Sequence, residues 1–469
     1  MFSLKAAFVL AALWSTTTSS AIAADGAAHA AENNTDIVIR ADDVLNDRVD
    51  GTKTYFGVAA AFVDGKSTAY YFNGNTDGAR SHSVTPDTHF EIGSLTKVFT
   101  ASLLSDMVRR GEVKYSDRIS DLVPDGFPIS EDLRDITLAQ LVTHTSGLPR
   151  RPDNLPKEAE AGPYADYGTA DLLDYLKTAK TVTPPGTAYS YSNLGMGLVG
   201  ALLSLNAGKT YAQLLKERIL DPLKMKSTSA CVSEDCGDFA WPHDILGAET
   251  APWTFDALAG AGALRSTAAD MKRFIRAALG DAHGFAAKSI QATMTSQLSI
   301  NPLDKEYFPA WVKPYSKNGV TIFWHDGGTG GSRSVLAIDR DHHRGVFVVA
   351  NTANSVVDVA LNALDPAYSL RKFELLKKTP LSTNEKLVDY VGDYNVGGEK
   401  LHISTADDKL YAQFEGDIAV EVTHYNRGRF FYTIADAQLH FTRDDDGAVS
   451  GVVFILEGDK SDGEKIEVR

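Results

Sequence analysis

The spacing of apolar residues predicts strands at both ends of the first 370 residues. Apolar and β-branched runs at 55–63 and 67–72 flank Asp64-Gly65-Lys66, which predicts a β-hairpin. Further strand-like runs are 320–324, 334–338 and 346–350. Helical spacing lies between them and predicts helices at 94–110, 194–205, 211–220 and 267–278, after a short one at 37–45. This order predicts an α+β fold, in which an antiparallel sheet from both chain ends is flanked by helices, with a helical subdomain.

Beyond residue 386 the apolar positions alternate at period two. The alternating runs are 401–404, 410–414, 419–422, 430–433, 439–442 and 452–456, separated by turns such as Asn426-Arg427-Gly428. This pattern predicts a small all-β C-terminal barrel over 387–469. The charged stretch 371–386 contains Thr379-Pro380 and predicts a linker, so that 37–370 forms the first domain.

The first residues have the pattern of a secretory signal. A basic start, an apolar stretch too short to span a bilayer and Ala21-Ile22-Ala23 predict a signal peptide over 1–23, with a disordered lead-in over 24–36. We therefore expect an exported protein, periplasmic or secreted, without stable membrane insertion. The two cysteines, Cys231 and Cys236, are a candidate disulfide, because an exported protein meets an oxidising compartment.

Composition and charge exclude some classes of partner. The chain has 469 residues and a net charge of −15, without a basic stripe, which argues against nucleic acid. Cys231 and Cys236 have no nearby histidine pair, so that no metal site is expected. We expect no cofactor and a small-molecule or peptide substrate.

Ser94 and Lys97 are the first candidate catalytic pair. Residues three apart on a helix share a face, so the amine can reach and activate the serine hydroxyl. The pattern is weak by itself, because Ser369 and Lys372 repeat it.

Two further stretches can act with Ser94. In the first, Tyr191 can relay a proton and Asn193 can donate to a substrate carbonyl, although Tyr-x-Asn is also a common start of a structural helix. In the second, His325-Asp326-Gly327-Gly328 ends a strand; its glycines let a substrate lie along the strand edge, and the N–H of Gly328 can join that of Ser94 as an oxyanion hole. A plain glycine-rich connection is the alternative. The loop His144-Thr145-Ser146-Gly147 is expected to be structural.

Together these motifs resemble the serine β-lactamase and penicillin-binding protein family, in its class C branch. The resemblance rests on Ser94-x-x-Lys97, Tyr191-x-Asn193 and the element His325-Asp326-Gly327, and it covers roughly residues 37–370. It implies a β-lactamase/transpeptidase-like fold, with Ser94 as nucleophile, Lys97 as its activating base, Tyr191 as proton relay and Asn193 as substrate ligand. The sequence does not assign whether Lys97 or Tyr191 is the base in each step. His325, Gly327 and Gly328 would also contact substrate. The C-terminal region is similar to the lipocalin-like domain that some of these hydrolases carry.

One departure affects the expected substrate. The family usually has Lys-Thr-Gly where this chain has His325-Asp326-Gly327, and the family's lysine helps to bind the substrate carboxylate. A histidine is mostly neutral at pH 7. This favours D-amino-acid amides, peptides of the peptidoglycan type or small acyl esters over β-lactams. A true class C β-lactamase and a slowly deacylating penicillin-binding receptor remain alternatives.

Overall fold

The computed structural model describes residues 36–78, 82–156, 162–230, 239–295 and 307–466, apart from residues 313, 318 and 374. The strands of its first part are β1 (Gly57–Asp64), β2 (Ser67–Gly74), β3 (Phe90–Glu91), β4 (Ser229–Ala230), β5 (Leu264–Ser266), β6 (Tyr315–Lys317), β7 (Val320–Gly328), β8 (Arg333–Asp339) and β9 (Arg344–Ala350). The main sheet has the order β2-β1-β9-β8-β7-β6. All its neighbours are antiparallel, and β1 pairs with β9. The predicted sheet from both chain ends is confirmed.

The main sheet is covered on both faces, as strand β1 illustrates. Ala59, Ala61 and Val63 belong to one apolar core. The alternate residues of the strand belong to a second core on the other face of the sheet. Successive side chains of a strand point to opposite faces, so a strand that is apolar throughout requires this double cover.

Helices form the two covering layers and the helical subdomain. They are α1 (Asp36–Asn46), α2 (Thr96–Arg109), α3 (Ile119–Leu122), α4 (Glu131–Arg134), α5 (Leu138–Val142), α6 (Thr169–Thr178), α7 (Asn193–Ala207), α8 (Tyr211–Leu215), α9 (Ala268–Leu279), α10 (Phe285–Thr293) and α11 (Val357–Leu364). Helix α9 packs on β1 and β9, and α11 packs with α1 and with β8 and β9. Helix α2 lies between α7 and α10 and is buried over most of its length.

Two helix boundaries differ from the sequence prediction. The residues Gly93–Leu95 form a single 3-10 turn, and α2 begins only at Thr96. The predicted helix at 211–220 is α-helical only to Leu215 and continues as a wider π turn over Lys216–Leu220. Ser94 therefore precedes helix α2.

The C-terminal region is a closed barrel of eight antiparallel strands. They are β10 (Gly392–Val396), β11 (Glu399–Ala406), β12 (Lys409–Phe414), β13 (Val420–Asn426), β14 (Arg429–Tyr432), β15 (Ala437–Arg443), β16 (Val449–Leu456) and β17 (Asp459–Lys465). Strands β10 and β17 pair and close it. The predicted barrel is confirmed, but the alternation pattern did not predict β10 and β17.

One rim of the barrel lies on the first domain. The backbone N–H of Ile245 donates to the carbonyl of Thr433 at 2.8 Å. Arg333, at the start of β8, donates to the carbonyl of Ile434 at 2.6 Å. Arg371 pairs with Asp436 at 2.6 Å. These contacts place the turns of the barrel over the end of β7, where the candidate site lies.

Candidate active site

The turn that carries Ser94 is pressed against the end of β7. Gly93 has φ +50°, and a Cβ there would lie 2.7 Å from the backbone nitrogen of Gly328. Only glycine fits such an approach with a positive φ. Gly327 is equally restricted, since a Cβ there would lie 2.0 Å from the carbonyl oxygen of Ile92. The backbone around Ser94 and the strand end with Gly328 are therefore adjacent.

Lys97 lies directly behind Ser94. Its Nζ donates to Ser94 Oγ at 2.8 Å and to the carbonyl of Ala261 at 2.7 Å. The side chain is fully buried. Burial lowers the pKa of Lys97 well below its usual value, and the nearby Arg150 guanidinium lowers it further, while Asp326 opposes them. This shift favours the neutral form of the amine, which is the form that a base needs.

Tyr191 completes the group around Ser94. It lies in the extended segment before α7, whose start is capped by Ser192 Oγ accepting from the N–H of Gly195 at 2.9 Å. The Tyr191 ring centroid is 5.0 Å from Lys97 Nζ and 4.4 Å from that of His144. Burial raises the pKa of Tyr191, and a side-chain hydrogen bond with Ser94 opposes that shift. The phenol therefore keeps its proton.

Asn193 faces the same space as Ser94. Its Nδ2 donates to the hydroxyl of Tyr164 at 2.7 Å, while its Oδ1 is buried without a hydrogen-bond partner among the described residues. Tyr164 is in turn stacked on Phe255, with ring centroids 5.1 Å apart. The amide is thus held from behind and presents an unsatisfied oxygen to a ligand.

The strand element places His325 and Asp326 on opposite sides of β7. His325 is 1% exposed, and burial with the nearby Lys97 lowers its pKa to about 3. It does not line the cavity in front of Ser94, whereas Asp326 and Gly328 do. Burial raises the pKa of Asp326 to about 6, with Arg333, Lys97 and Arg150 opposing. The histidine is accordingly neutral and lies outside the cavity lining, with its ring centroid 6.3 Å from that of Tyr191, and Asp326 faces the cavity instead.

A cavity of about 150 Å³ connects these side chains. Its walls include residues that the sequence did not single out: Arg150, Arg151, Tyr164, Trp253, Phe255, Asp417, Ile434, Asp436 and Glu457. Arg150 and Arg151 directly follow the loop 144–149, and this proximity was the only signal for them. The sequence contained no signal for the barrel residues, because they reach the site only through the way in which the barrel packs on the first domain.

Glu91 joins three parts of the wall. Its carboxylate accepts from the backbone N–H of Trp253 at 2.6 Å and from Thr329 Oγ1 at 2.7 Å, and its carbonyl accepts from Ser332 Oγ at 2.9 Å. Burial raises the pKa of Glu91 to about 7, although these hydrogen bonds and Arg265 oppose the rise. Glu91 therefore ties Trp253 and the β7–β8 turn to the backbone three residues before Ser94.

Some of the sequence predictions concern residues outside the part of the chain that the structure describes. Residues 1–35 and 231–238 lie outside the described residues, and with them the predicted signal peptide and the Cys231–Cys236 disulfide. Among the helices that are described, none combines the length and apolarity needed to cross a membrane.

The chain belongs to the β-lactamase family, whose model, described as "Beta-lactamase", matches residues 42–367. It is similar to the D-alanyl-D-alanine-carboxypeptidase/endopeptidase AmpH of Escherichia coli, with 31% identity over 310 residues, which cover 62% of this chain and 78% of AmpH. It is also similar to an unguisins hydrolase of Aspergillus campestris, at 29% identity over 64% of this chain, and spans 59% of that protein.

A solved structure agrees with these relatives. The β-lactamase/D-alanine carboxypeptidase of Yersinia pestis, complexed with citrate, superposes with a TM-score of 0.58 at 26% identity, over 71% of this chain and 98% of that one. The fold is β-lactamase/transpeptidase-like, and the resemblance seen in the motifs is confirmed. The chain is a serine hydrolase of the β-lactamase and penicillin-binding protein family, in its class C-like branch.

Proposed function

We propose that this serine hydrolase acts through a covalent ester on Ser94. The observation that carries the proposal is the 2.8 Å contact between Lys97 Nζ and Ser94 Oγ, made by an amine whose pKa burial lowers. A neutral amine at this distance can take the hydroxyl proton as the oxygen attacks. Tyr191, which keeps its proton, is the neighbouring acid.

The reaction divides into two acyl transfers. Ser94 Oγ forms a bond to the substrate carbonyl carbon while its proton passes to Lys97. The carbonyl oxygen becomes negative between the N–H groups of Ser94 and Gly328, each worth about 3 kcal/mol in such a site. The bond to the leaving group then breaks, the leaving group takes a proton from Tyr191, and Lys97 returns a proton to Tyr191. Water hydrolyses the ester by the reverse proton path.

The proposed substrates are D-amino-acid amides and peptides of the peptidoglycan type, or small acyl esters, met in the periplasm. The similarity to AmpH, which is named as a D-alanyl-D-alanine carboxypeptidase and endopeptidase, supports this class. So does the side of β7 that faces the cavity, because it presents Asp326 where the family has Lys-Thr-Gly, while His325 is buried outside the cavity lining. Asn193, with its unpaired Oδ1, is the proposed ligand of the substrate amide.

The test compares three substrates on one enzyme preparation. A D-alanine anilide, a short-chain nitrophenyl ester and a chromogenic cephalosporin are assayed with the natural chain and with Ser94→Ala. We expect turnover of the first two above the third, and a loss of at least about a thousandfold in Ser94→Ala. Ser369→Ala is the matched control, since Ser369 is exposed in the second Ser-x-x-Lys, and it should retain full activity.

Each alternative has its own result in this experiment. Cephalosporin turnover far above the other two substrates would identify a β-lactamase. An acyl adduct seen by intact mass after incubation with penicillin, without turnover of any substrate, would identify a slowly deacylating receptor. Full activity of Ser94→Ala on every substrate would overturn the mechanism.

A further inference from the structure

The turn between β12 and β13 of the barrel inserts a carboxylate into the candidate site. Asp417 Oδ1 lies 3.1 Å from Arg151 Nη2, and Asp417 Oδ2 lies 3.5 Å from Arg150 Nε. The Asp417 side chain is 16% exposed and lines the same cavity as Ser94. Each oxygen of the carboxylate thus faces a different guanidinium at ion-pair distance.

The two arginines adjoin the side chains proposed to handle substrate. The guanidinium carbon of Arg150 is 5.3 Å from the ring centroid of Tyr191. That of Arg151 is 5.5 Å from the ring of Tyr164, whose hydroxyl holds Asn193. A carboxylate bound between Arg150 and Arg151 is therefore beside the reacting group.

Two other basic side chains near the cavity, Arg333 and His325, are less suited to bind a substrate carboxylate. Arg333 donates to the carbonyls of Thr329 at 2.7 Å, Ser332 at 2.9 Å and Ile434 at 2.6 Å, and thereby fastens the β7–β8 turn to the barrel. His325, which stands where the family has lysine, is buried and does not line the cavity. Arg150 and Arg151 are the cavity-lining pair that a carboxylate already occupies.

We propose that Arg150 and Arg151 form the subsite for a substrate carboxylate, and that Asp417 occupies this subsite as an internal ligand which the substrate must displace. The inference rests on the proposed function and adds that substrates carrying a free carboxylate near the scissile carbonyl are selected there. Two carboxylates side by side repel each other, so the substrate and Asp417 compete. The barrel thereby sets the affinity for acidic substrates through one side chain.

The experiment uses two esters that differ only in charge. The full chain is assayed on the para-nitrophenyl monoester of fumaric acid, whose trans carboxylate cannot reach its own ester carbonyl, and on its neutral methyl ester, as the natural chain and as Asp417→Asn. Loss of the competing charge should raise kcat/KM for the charged ester about tenfold relative to the neutral one, mainly through KM. Arg151→Gln should lower the same ratio. Glu421→Gln is the matched control, since its ion pair with Lys409 at 2.7 Å lies within the same hairpin.

The outcomes separate this inference from the proposed function. If Asp417→Asn leaves the ratio of the two esters unchanged, or lowers both rates equally, the inference is wrong, even though ester turnover and its loss in Ser94→Ala uphold the proposed function. If the natural chain hydrolyses neither ester, calorimetric binding of succinate to the natural chain and to Asp417→Asn tests the subsite by itself. Tighter binding by the variant supports the subsite, and equal binding overturns it.

Discussion

At the scale of single residues, burial sets the protonation states around Ser94. Lys97, His325 and His144 all have a pKa lowered by burial, while the pKa of Tyr191 is raised. Each shift favours the uncharged form, as expected for groups removed from water. The result is an uncharged base beside a protonated phenol.

The pH dependence of the reaction should therefore follow Lys97. Its amine is a base only while unprotonated, so kcat/KM for the neutral ester should fall as the pH drops through the lowered pKa of Lys97. Lys97→Arg should lower kcat/KM at least about a thousandfold at every pH, because a guanidinium is not deprotonated in proteins. The measurement is a pH profile of kcat/KM.

His144→Gln is the control for this assignment. His144 lies against Tyr191, with ring centroids 4.4 Å apart and planes tilted by 31°, and is buried, so that it is the neighbouring group most readily mistaken for the base. The acid limb should keep its midpoint in His144→Gln. A limb that disappears in this variant would assign the base to the histidine.

Whether a residue of the site could be predicted from the sequence depends on how far away in the chain its partner lies. Ser94 and Lys97 were predictable because one turn of chain joins them, and Tyr191 and Asn193 because they lie at the start of a strongly apolar helix. The pairing of Arg150 and Arg151 with Asp417 could not be predicted, since it depends on how the barrel lies on the first domain. Arginine and aspartate occur on most surfaces, and neither carries a local signal for such a contact.

At the scale of elements, strand β17 was not predicted because it lacks the apolar inward positions that the predicted strands have. Strand β17 reads Asp-Lys-Ser-Asp-Gly-Glu-Lys, without any apolar side chain. Its inward position is Gly463, where a Cβ would lie 2.5 Å from Val396 Cγ2. The neighbouring strand β10 fills the space that a side chain of β17 would have occupied, so the period-two signal is absent.

This close approach leads to a prediction for the barrel. Gly463→Leu should destabilise it by about 1–3 kcal/mol, because the added side chain overpacks against Val396. Glu464→Leu is the matched control, since Glu464 lies next on the same strand and is exposed. The measurement is chemical denaturation, read by tyrosine fluorescence of both variants. Equal midpoints for the two leucine variants would show that the barrel interior has room at this position.

At the scale of the whole molecule, a series of charges joins the first domain to the barrel. Arg48 binds Asp358 of α11, with Arg48 Nη1 to Asp358 Oδ1 at 3.0 Å. The backbone N–H of Arg371 donates to Asp358 Oδ2 at 2.8 Å, and its guanidinium pairs with Asp436 of the barrel. Glu457 lies 4.0 Å from that guanidinium, and burial raises the pKa of Glu457 to about 7. Arg371, together with Arg333, thus compensates the charges of this acidic rim.

Removing Arg371 should loosen the barrel in a pH-dependent way. In Arg371→Ala, Asp436 and Glu457 lose their counter-charge and repel each other once Glu457 ionises. Above pH 7 we expect protease cleavage within 371–386 to be at least about tenfold faster than in the natural chain, given the usual cost of an unpaired buried charge. Near pH 5, Glu457 is protonated and only the ion pair with Asp436 is lost, so the ratio should be smaller than at pH 8.

Lys400→Ala provides the control for this measurement. Lys400 forms a half-exposed pair with Asp393 at 2.5 Å on the barrel surface, so its loss should not change cleavage at either pH. The assay compares cleavage rates of each variant with those of the natural chain at pH 5 and pH 8. A ratio for Arg371→Ala that does not depend on pH would mean that Glu457 takes no part in holding the barrel.

The pairing of β10 with β17 also sets an order of events during synthesis. A ribosome releases the first strand of the barrel about 70 residues before the last, a span read from the strand bounds. Until β17 emerges the barrel cannot close, and Asp417 has no rigid support from which to reach Arg150 and Arg151. The segment that carries Ser94 therefore leaves the ribosome long before Asp417 can reach Arg150 and Arg151. In a chain truncated before β17, the carboxylate subsite of Arg150 and Arg151 would be without Asp417 as its internal ligand.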